Sequence, residues 1–341
     1  MACHRRGHPD VPKQRLKRRL AILDDFQRVA LELADWSVVR EHYDIDTFDR
    51  TIAVEDRPSV LRPYEVLVAM RERTPFPASL LERLPGLRLL VTTGMWNRAI
   101  DMEAAARLGV VVCGTESSVN APVELAWALI LGLARRVHLE DAALRRGEWQ
   151  TGVGVELHGK TLAVLGLGRL GREMARIGRA FGMDVIAWSQ NMTPLRAEEG
   201  GAKLVSRDEF FATADVLTVH VVLSDRTRGL IGSNELRMMK RTALLVNTSR
   251  GAIVDEEALA AALNDGAIGG AALDVYGAEP PRADCPLVKA SRTLLTPHIG
   301  ITTDRNYRMY YTQAAEDVLA FTQGRRLRAL DGGVSPIASR A

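Results

Sequence analysis

Residues 160–171 read KTLAVLGLGRLG, a short apolar run followed by three glycines with GxGxxG spacing. Between a strand and a helix, Gly166 would allow a tight turn, Gly168 would let the backbone approach a pyrophosphate, and Gly171 would let helix and strand pack closely. The free N–H groups and the positive dipole end of the helix would then face the phosphates. In a strand–helix–strand unit this spacing predicts a dinucleotide-binding loop. The loop also contains Arg169 and Leu170.

The second strand of this strand–helix–strand unit lacks the acidic residue that usually selects NAD. The run DVIAW, residues 184–188, continues into Ser189, Gln190 and Asn191. A carboxylate at this point would hold the ribose hydroxyls of NAD, whereas an arginine nearby would accommodate the 2′-phosphate of NADP. Neither residue type is present here, and Ser189 can hydrogen-bond either group. The sequence therefore predicts NAD or NADP as the cofactor, with NAD slightly favoured.

Short apolar runs alternate with helical patterns on both sides of the glycine loop. The predicted strands are LAILDDF, EVLVAM and LRLLVTT before the loop, and DVIAWS, VLTVHVVL, ALLVNTS, GAALDVY and RTLLTPH after it. Strands that alternate with helices predict parallel sheets, and 341 residues suit about two domains. The expected fold class is therefore α/β with two lobes. Ala121–Gly147 is predicted as one long apolar helix that packs between domains or subunits, and Asn306–Gly324 as the last helix.

The formal net charge of +3 is distributed unevenly along the chain. Residues 1–19 hold seven Lys or Arg and one Asp, so they carry +6 and the remaining chain carries −3. A mildly acidic body does not suit a nucleic-acid binder with a basic face. No apolar run is long enough to span a bilayer, and the basic segment lacks the apolar core of a signal peptide. We expect a disordered basic tail and neither a nucleic-acid nor a membrane partner.

The three cysteines, Cys3, Cys113 and Cys285, are scattered and odd in number. This usage indicates a reducing compartment, and we expect a cytoplasmic location. Cys3, His4 and His8 carry metal-ligating atoms, but no carboxylate or further cysteine completes a site beside them. The sequence therefore predicts no bound metal.

Three polar residues follow predicted strands in the second half of the chain. Arg250 lies in LVNTSRGAIVD, Glu279 in ALDVYGAEPP and His298 in LLTPHIG. Ligands of open parallel sheets bind at the carboxyl ends of the strands. Arginine can hold a carboxylate with two parallel hydrogen bonds, and histidine can exchange a proton with an alcohol oxygen. A carboxylate beside that histidine would favour the imidazolium. With a dinucleotide, these groups predict hydride transfer between a nicotinamide and a 2-hydroxy acid.

The chain from Leu20 to Leu330 resembles the D-isomer-specific 2-hydroxyacid dehydrogenase family. The resemblance is carried by GKTLAVLGLGRLG, LLVNTSRGAIVDEEALAAAL, ALDVYGAEPP and LLTPHIG, which stand in the family's order. It implies that Arg250 binds the substrate carboxylate and carbonyl. It also implies that His298 is the general acid in reduction and the general base in oxidation, with Glu279 as its partner.

The resemblance implies further site residues on two sets of loops. VTTGMWNRAID resembles the loop whose backbone N–H groups hold the substrate carboxylate. The residues expected to contact the substrate are Thr93, Gly94, Met95, Trp96, Asn97 and one arginine of MRERTPF, either Arg71 or Arg73, of which we favour Arg73. The residues expected to line the cofactor, besides the glycine loop and Ser189, are His220, Val222, Thr248, Ser249, Asp274 and Gly300. Asp274 would contact the nicotinamide carboxamide, and Val222 departs from a common proline of the family.

The same resemblance implies how the domains are arranged. A Rossmann-type dinucleotide-binding domain, residues 119–302, is expected to be inserted into a flavodoxin-like substrate-binding domain, residues 20–118 and 303–332, after a tail of residues 1–19. The substrate would react in the cleft between the lobes. Family members are usually homodimers through their cofactor domains, and the Ala121–Gly147 helix and Trp149 suit such an interface.

Three alternative functions remain open from the sequence. A related oxidoreductase acting on formate or phosphite would share the fold, although Pro297 before His298 resembles the hydroxyacid branch more. A dinucleotide-sensing regulatory protein, like the C-terminal-binding-protein corepressors, can retain the same three polar residues. A scaffold without turnover would also share the fold, and a turnover assay separates the enzymes from the latter two.

Overall fold

The computed structural model describes residues 17–330 of the chain. Most of the predicted basic tail, with Cys3, His4 and His8, lies outside the described residues, and so do residues 331–332 of the predicted substrate domain. None of the helices within residues 17–330 has the length and apolar character needed to cross a membrane.

Helices and strands alternate along the whole described chain. The strands are β1 (Arg18–Ile22), β2 (Tyr43–Thr47), β3 (Val66–Ala69), β4 (Leu89–Thr92), β5 (Val111–Gly114), β6 (Thr161–Leu165), β7 (Asp184–Trp188), β8 (Lys203–Leu204), β9 (Val216–Val219), β10 (Leu244–Asn247), β11 (Gly270–Leu273) and β12 (Thr293–Leu295). The α-helices are α1 (Ser37–His42), α2 (Arg57–Leu61), α3 (Ala78–Leu81), α4 (Met102–Arg107), α5 (Asn120–Ala134), α6 (Val137–Arg145), α7 (Arg169–Ala180), α8 (Pro194–Glu199), α9 (Arg207–Thr213), α10 (Ser233–Met238), α11 (Glu256–Asn264), α12 (Pro286–Lys289) and α13 (Asp304–Thr322). A short 3₁₀ helix covers Gly251–Ile253.

The chain divides into two compact units, and the first comprises residues 17–117 and 304–330. Its sheet has five parallel strands in the order β2-β1-β3-β4-β5, which is the flavodoxin-like order. The core on one face contains Leu67, Leu90 and Ala105. The C-terminal helix α13 contacts β4, so the end of the chain returns to the unit formed by its beginning.

The second unit, Ser118–Thr303, contains a sheet of seven parallel strands in the order β12-β11-β10-β9-β6-β7-β8. Both faces of this sheet are covered. In β6, Leu162 and Val164 face a core that includes residues of α5, whereas Ala163 and Leu165 face the core on the other side. Burial on both faces explains why these strands are continuous apolar runs in the sequence. The strand order reverses between β6 and β9, and this switch point is where a doubly wound sheet binds its ligand.

The predicted α/β class and every strand named from the sequence are confirmed. One helix prediction is wrong, because Ala121–Gly147 is divided into α5 and α6. Arg136 adopts a left-handed backbone conformation with φ 56° between them, which ends the regular hydrogen bonding of α5. Helix α5 contributes to the core of its own unit, and the predicted packing of this segment between domains or subunits stays a prediction.

The boundary of the basic tail is also corrected, because β1 begins at Arg18. Arg18 forms an ion pair with Glu65 at 2.9 Å, and Arg19 forms one with Asp46 of β2 at 2.7 Å. Because these acidic partners are distant in sequence, the basic residues Arg18 and Arg19 look like part of the tail, and the sequence alone does not predict that the strand begins there. For the same reason β2, whose sequence YDIDT carries two acids, was not predicted as a strand.

Candidate active site

The glycine loop lies at the switch point of the second sheet. Gly166 directly follows β6 and has φ 90°, a left-handed conformation that favours glycine. A Cβ at this position would lie 2.7 Å from Cγ1 of Val221 and 3.0 Å from the carbonyl oxygen of His220. The loop therefore packs directly against the segment after β9. Gly168 is the N-cap of α7, whose first residues are Arg169, Leu170 and Gly171, so the helix N-terminus is at the position that dinucleotide phosphates require.

His220 follows β9 beside this loop. Its Nε2 lies 2.8 Å from Oγ1 of Thr218, and burial lowers the pKa of His220 to about 4. The imidazole is therefore neutral at physiological pH and adds no positive charge next to the glycine loop. Val222, two residues later, is 67% exposed, and its carbonyl accepts a hydrogen bond from Thr227 at 2.7 Å.

The end of β7, where a ribose would be recognised, carries Ser189, Gln190 and Asn191. These residues form a turn before α8. Thr193 caps that helix by accepting a hydrogen bond from the N–H of Arg196. None of the side chains of residues 189–193 is ionisable, so this turn carries no carboxylate and no positive charge.

The loop after β10 orients Arg250. Asn247, only 1% exposed, donates from Nδ2 to the carbonyl of Arg250 at 3.0 Å and accepts from the N–H of Ser249 at 3.0 Å. Ser249 donates from Oγ to the carbonyl of Val221 at 2.7 Å, which joins this loop to the one after β9. Thr248 lies between these residues. Asn247 was not among the predicted site residues, although a buried amide at the end of the apolar run LLVN is the signal that could have identified it.

Glu279 and His298, which lie 19 residues apart in sequence, are joined in the structure. Nδ1 of His298 lies 2.5 Å from Oε2 of Glu279. The other carboxylate oxygen accepts a hydrogen bond from the N–H of Tyr276 at 3.0 Å. Burial would raise the pKa of Glu279, but the hydrogen bond and charge of His298, the Tyr276 amide and the charge of Arg250 together hold that pKa below its ordinary value. Glu279 is therefore a carboxylate that can stabilise a protonated imidazole.

Asp274 holds the backbone around His298. His298 has a left-handed φ of 54°, which is uncommon for a residue other than glycine. The carboxylate of Asp274 accepts hydrogen bonds from the N–H groups of Ile299 at 2.8 Å and Gly300 at 2.9 Å, and from the hydroxyl of Thr296 at 2.6 Å. Burial raises the pKa of Asp274, although these donors oppose the effect. The predicted contact of Asp274 with the nicotinamide stays a prediction, and its carboxylate in addition fixes the histidine loop.

The predicted substrate loop lies in the first unit, and two of its amides are engaged there. The N–H of Thr93 donates to the carbonyl of Ala69 at 3.0 Å, and the N–H of Gly94 donates to Oγ1 of Thr115 at 2.9 Å. The N–H groups of Thr93 and Gly94 therefore already have acceptors within the protein. The prediction that backbone N–H groups of this loop bind the substrate carboxylate now applies to those of Met95, Trp96 and Asn97.

The structure separates the roles of the two arginines near this loop. Arg73, the predicted substrate contact, donates to the carbonyl of Asp24 at 3.0 Å and lies over the ring of Phe26. Arg71 instead packs against Gly94, because a Cβ on that glycine would lie 1.9 Å from Nη1 of Arg71. The position at the loop thus belongs to Arg71, whose Nε lies 3.7 Å from Oε2 of Glu72. Arg71 has a left-handed backbone conformation with φ 53°, which the sequence does not reveal, and for this reason the sequence alone does not distinguish Arg71 from Arg73.

Within the second unit these groups can perform acid–base chemistry next to a dinucleotide. A glycine loop at a helix N-terminus fits a pyrophosphate, a guanidinium fork fits a carboxylate, and an imidazole with a carboxylate partner can donate or accept a proton. Among residues 17–330, no group of His, Cys, Asp or Glu side chains is arranged to hold a metal ion.

Comparisons with known proteins agree with this chemistry. Residues 127–300 match the family model described as D-isomer specific 2-hydroxyacid dehydrogenase, NAD binding domain. The chain is 39% identical over 315 residues to glyoxylate reductase of Aeropyrum pernix, covering 87% of this chain and 90% of the relative. It is 38% identical over 274 residues to D-3-phosphoglycerate dehydrogenase of Archaeoglobus fulgidus, covering 78% of this chain but 51% of the relative. Phosphoglycerate oxidoreductase of Vibrio cholerae has a similar structure, with a TM-score of 0.85 at 36% identity, covering 90% of this chain and 99% of that one.

Proposed function

The chain belongs to the D-isomer-specific 2-hydroxyacid dehydrogenase family, and from this premise we propose that it reduces glyoxylate, hydroxypyruvate or a similarly small 2-oxo acid. It is an oxidoreductase that transfers a hydride between a nicotinamide cofactor and a 2-hydroxy acid. The observation that carries the proposal is the pair of His298 and Glu279, joined at 2.5 Å in the unit that contains the glycine loop. The named relatives are oxidoreductases, which favours turnover over a dinucleotide-sensing role.

The proposed mechanism assigns one task to each polar group. The nicotinamide, when bound, supplies or accepts the hydride. Arg250 holds the substrate carboxylate through its guanidinium fork and polarises the adjacent carbonyl. His298 donates its proton to the carbonyl oxygen during reduction and takes it back during oxidation. Glu279 stabilises the protonated imidazole through the Nδ1 contact, as a carboxylate partner does in acid–base pairs.

We propose an unphosphorylated substrate because of the charges near the predicted substrate loop. Arg71 packs against Gly94, and the carboxylate of Glu72 lies 3.7 Å from the guanidinium of Arg71. That negative charge offsets the cation that would otherwise attract a phosphate group. Trp96, 49% exposed on the same loop, adds bulk that favours a small acid. We propose that the first unit, with α13, is the substrate-binding domain, and that the second unit is the dinucleotide-binding domain.

The experiment that tests the function is an initial-rate assay with a substrate panel. NADH and NADPH are each mixed with glyoxylate, hydroxypyruvate, 3-phosphohydroxypyruvate and a bulky 2-oxo acid, and loss of the reduced-nicotinamide absorbance is followed. We expect loss with glyoxylate or hydroxypyruvate. A faster rate with the phosphorylated acid would contradict the proposed substrate class, and no loss with any acid, while either cofactor still binds, would contradict the proposed function.

We propose that NAD is the preferred cofactor and that NADP is tolerated. The family description names NAD, and the neutral turn at Ser189 lacks the carboxylate that would repel a 2′-phosphate. We also propose a cytoplasmic location, which rests on the three scattered cysteines of the sequence.

Replacing Ser189 with Asp is expected to strengthen the preference for NADH. The new carboxylate would repel the 2′-phosphate, so the KM for NADPH should rise about tenfold or more, equivalent to ~1.4 kcal/mol. The KM for NADH should change by about twofold or less, because a carboxylate can also accept bonds from ribose hydroxyls. Ser189→Ala is the matched control that removes the hydroxyl without adding charge. Equal changes in both KM values for the Asp variant would show that Ser189 is not at the ribose.

We propose that the enzyme is a homodimer through its second unit. The segment after the helix break is fixed, since Glu140 accepts hydrogen bonds from the N–H and hydroxyl of Thr151. It nevertheless presents several exposed apolar side chains. These are Val137 at 57%, Leu144 at 59%, Trp149 at 75% and Val153 at 94% exposure. Several exposed apolar side chains within a short stretch of sequence favour an interface, and a second copy with two-fold symmetry is the simplest partner.

The double variant Leu144→Glu, Trp149→Glu is expected to be monomeric. Light scattering at micromolar concentration should give twice the mass of one chain for the wild type and the mass of one chain for the variant. The variant should not dimerise, because each copy would bury two carboxylates in an apolar contact. Val54→Glu, at a 68% exposed position of the first unit, is the control and should remain dimeric. A monomeric wild type would contradict the proposed dimer.

A further inference from the structure

Glu256, which no sequence motif above assigned to the site, contacts the loop that carries Glu279. Its Oε1 accepts a hydrogen bond from the N–H of Gly277 at 2.6 Å. Glu256 is the first residue of α11 and Gly277 lies two residues before Glu279, so the bond connects elements that are 21 residues apart in sequence. An ionised acceptor makes such a bond stronger than a neutral one.

The two loops joined by this bond are also in direct backbone contact. A Cβ on Gly251 would lie 2.0 Å from the carbonyl carbon of Tyr276 and 2.5 Å from the nitrogen of Gly277. Only glycine permits this approach. Gly251 immediately follows Arg250, so the loop that carries the arginine packs against the loop that carries the glutamate.

Tyr276 extends this connection to both members of the acid–base pair. Its N–H donates to Oε1 of Glu279 at 3.0 Å, and its hydroxyl donates to the carbonyl of Thr296, two residues before His298, at 3.0 Å. The segment Tyr276–Gly277, which belongs to the loop that carries Glu279, therefore also contacts the loops that carry Arg250 and His298. The carboxylate of Glu256 fixes the position of this segment by accepting the hydrogen bond from the N–H of Gly277.

We propose that Glu256 is a positioning residue of the active site: by holding the Gly277 amide, it aims Glu279 at His298 and keeps both in register with Arg250. The inference rests on the proposed function for its catalytic consequence. Side chains outside the reacting groups contribute to rate in this way when they hold the reacting groups in the productive geometry.

Capping of α11 does not account for Glu256. The N-cap of this helix is Asp255, whose side chain accepts a hydrogen bond from the N–H of Ala258 at 3.1 Å. Glu257 also stands in the first turn, is exposed and carries the same charge relative to the helix dipole. Replacing Glu257 therefore reproduces any general effect on the helix, whereas replacing Glu256 in addition removes the bond to Gly277.

The test compares Glu256→Ala, Glu256→Gln and the control Glu257→Ala in the full-length enzyme. We expect Glu256→Ala to lower kcat about tenfold or more, to leave the KM for the dinucleotide unchanged and to shift the midpoint of the pH–rate profile, because the histidine loses its fixed carboxylate partner. Glu256→Gln retains the Oε1 acceptor and should recover most of the rate. Equal kcat and equal pH profiles for Glu256→Ala and Glu257→Ala would overturn the inference.

Amide hydrogen exchange provides a readout that does not depend on turnover. The peptide containing Gly277 should exchange faster in Glu256→Ala than in the wild type or in Glu257→Ala, since its N–H loses an acceptor. Unchanged exchange would overturn the inference even if the rate fell. Absence of turnover in the wild type would instead contradict the proposed function, while the exchange result would still decide whether Glu256 holds the loop.

Discussion

Replacing His298 with Asn is expected to lower turnover by ~10²-fold or more, the usual scale for a lost general acid–base. Asparagine is a well-matched replacement, because it tolerates the left-handed conformation that His298 adopts at φ 54° and its amide can donate to Glu279. It cannot carry a proton to the carbonyl oxygen. Steady-state kcat for the preferred 2-oxo acid and a fluorescence titration of NADH measure the two properties separately.

Dinucleotide affinity of the His298→Asn variant should remain nearly that of the wild type, since the glycine loop follows β6 and not β12. His42→Asn, at an exposed position at the end of α1, is the matched control and should retain full turnover. Turnover of His298→Asn comparable with that of the control would remove His298 from the mechanism. A loss of NADH binding would instead indicate that the substitution disturbs the fold around Asp274.

The parts of the fold that the sequence predicts are those whose signals are local. The glycine loop, the apolar runs of the second sheet and the polar residues directly after them are all visible within a few residues. Arg250, Glu279 and His298 are examples, because each lies in the segment that follows a strand of the second sheet, after β10, β11 and β12 respectively. Parallel strands place their carboxyl ends at one edge of the sheet, so the sequence also predicts that these residues lie near one another.

The parts that the sequence does not predict depend on contacts between distant residues. The break at Arg136 is accompanied by bonds between Glu140 and Thr151, which belong to different segments, whereas the apolar pattern continues through the break. In strand β2, Asp46 pairs with Arg19 of the neighbouring strand β1, a partner that the acidic sequence YDIDT does not itself reveal. The choice between Arg71 and Arg73 depends on one backbone angle of Arg71, which no pattern of side chains reveals.

Replacing Arg250 with Lys is expected to lower kcat/KM by about two orders of magnitude although the charge is preserved, because lysine lacks the fork that grips a carboxylate with two parallel bonds. One charge-assisted bond contributes ~1.5–3 kcal/mol, so losing one of the two while the carbonyl loses its alignment accounts for that factor.

The Arg250→Lys variant retains a positive charge near Glu279, whose pKa is lowered partly by Arg250. The acid–base pair should therefore keep its protonation behaviour, and the midpoint of the pH–rate profile should not move. Arg107→Lys, on the exposed surface of α4 where Arg107 pairs with Glu82, controls for the exchange itself. An unchanged kcat/KM for Arg250→Lys would mean that a point charge suffices at this position and that the two-bond grip of the guanidinium on the substrate carboxylate is not needed.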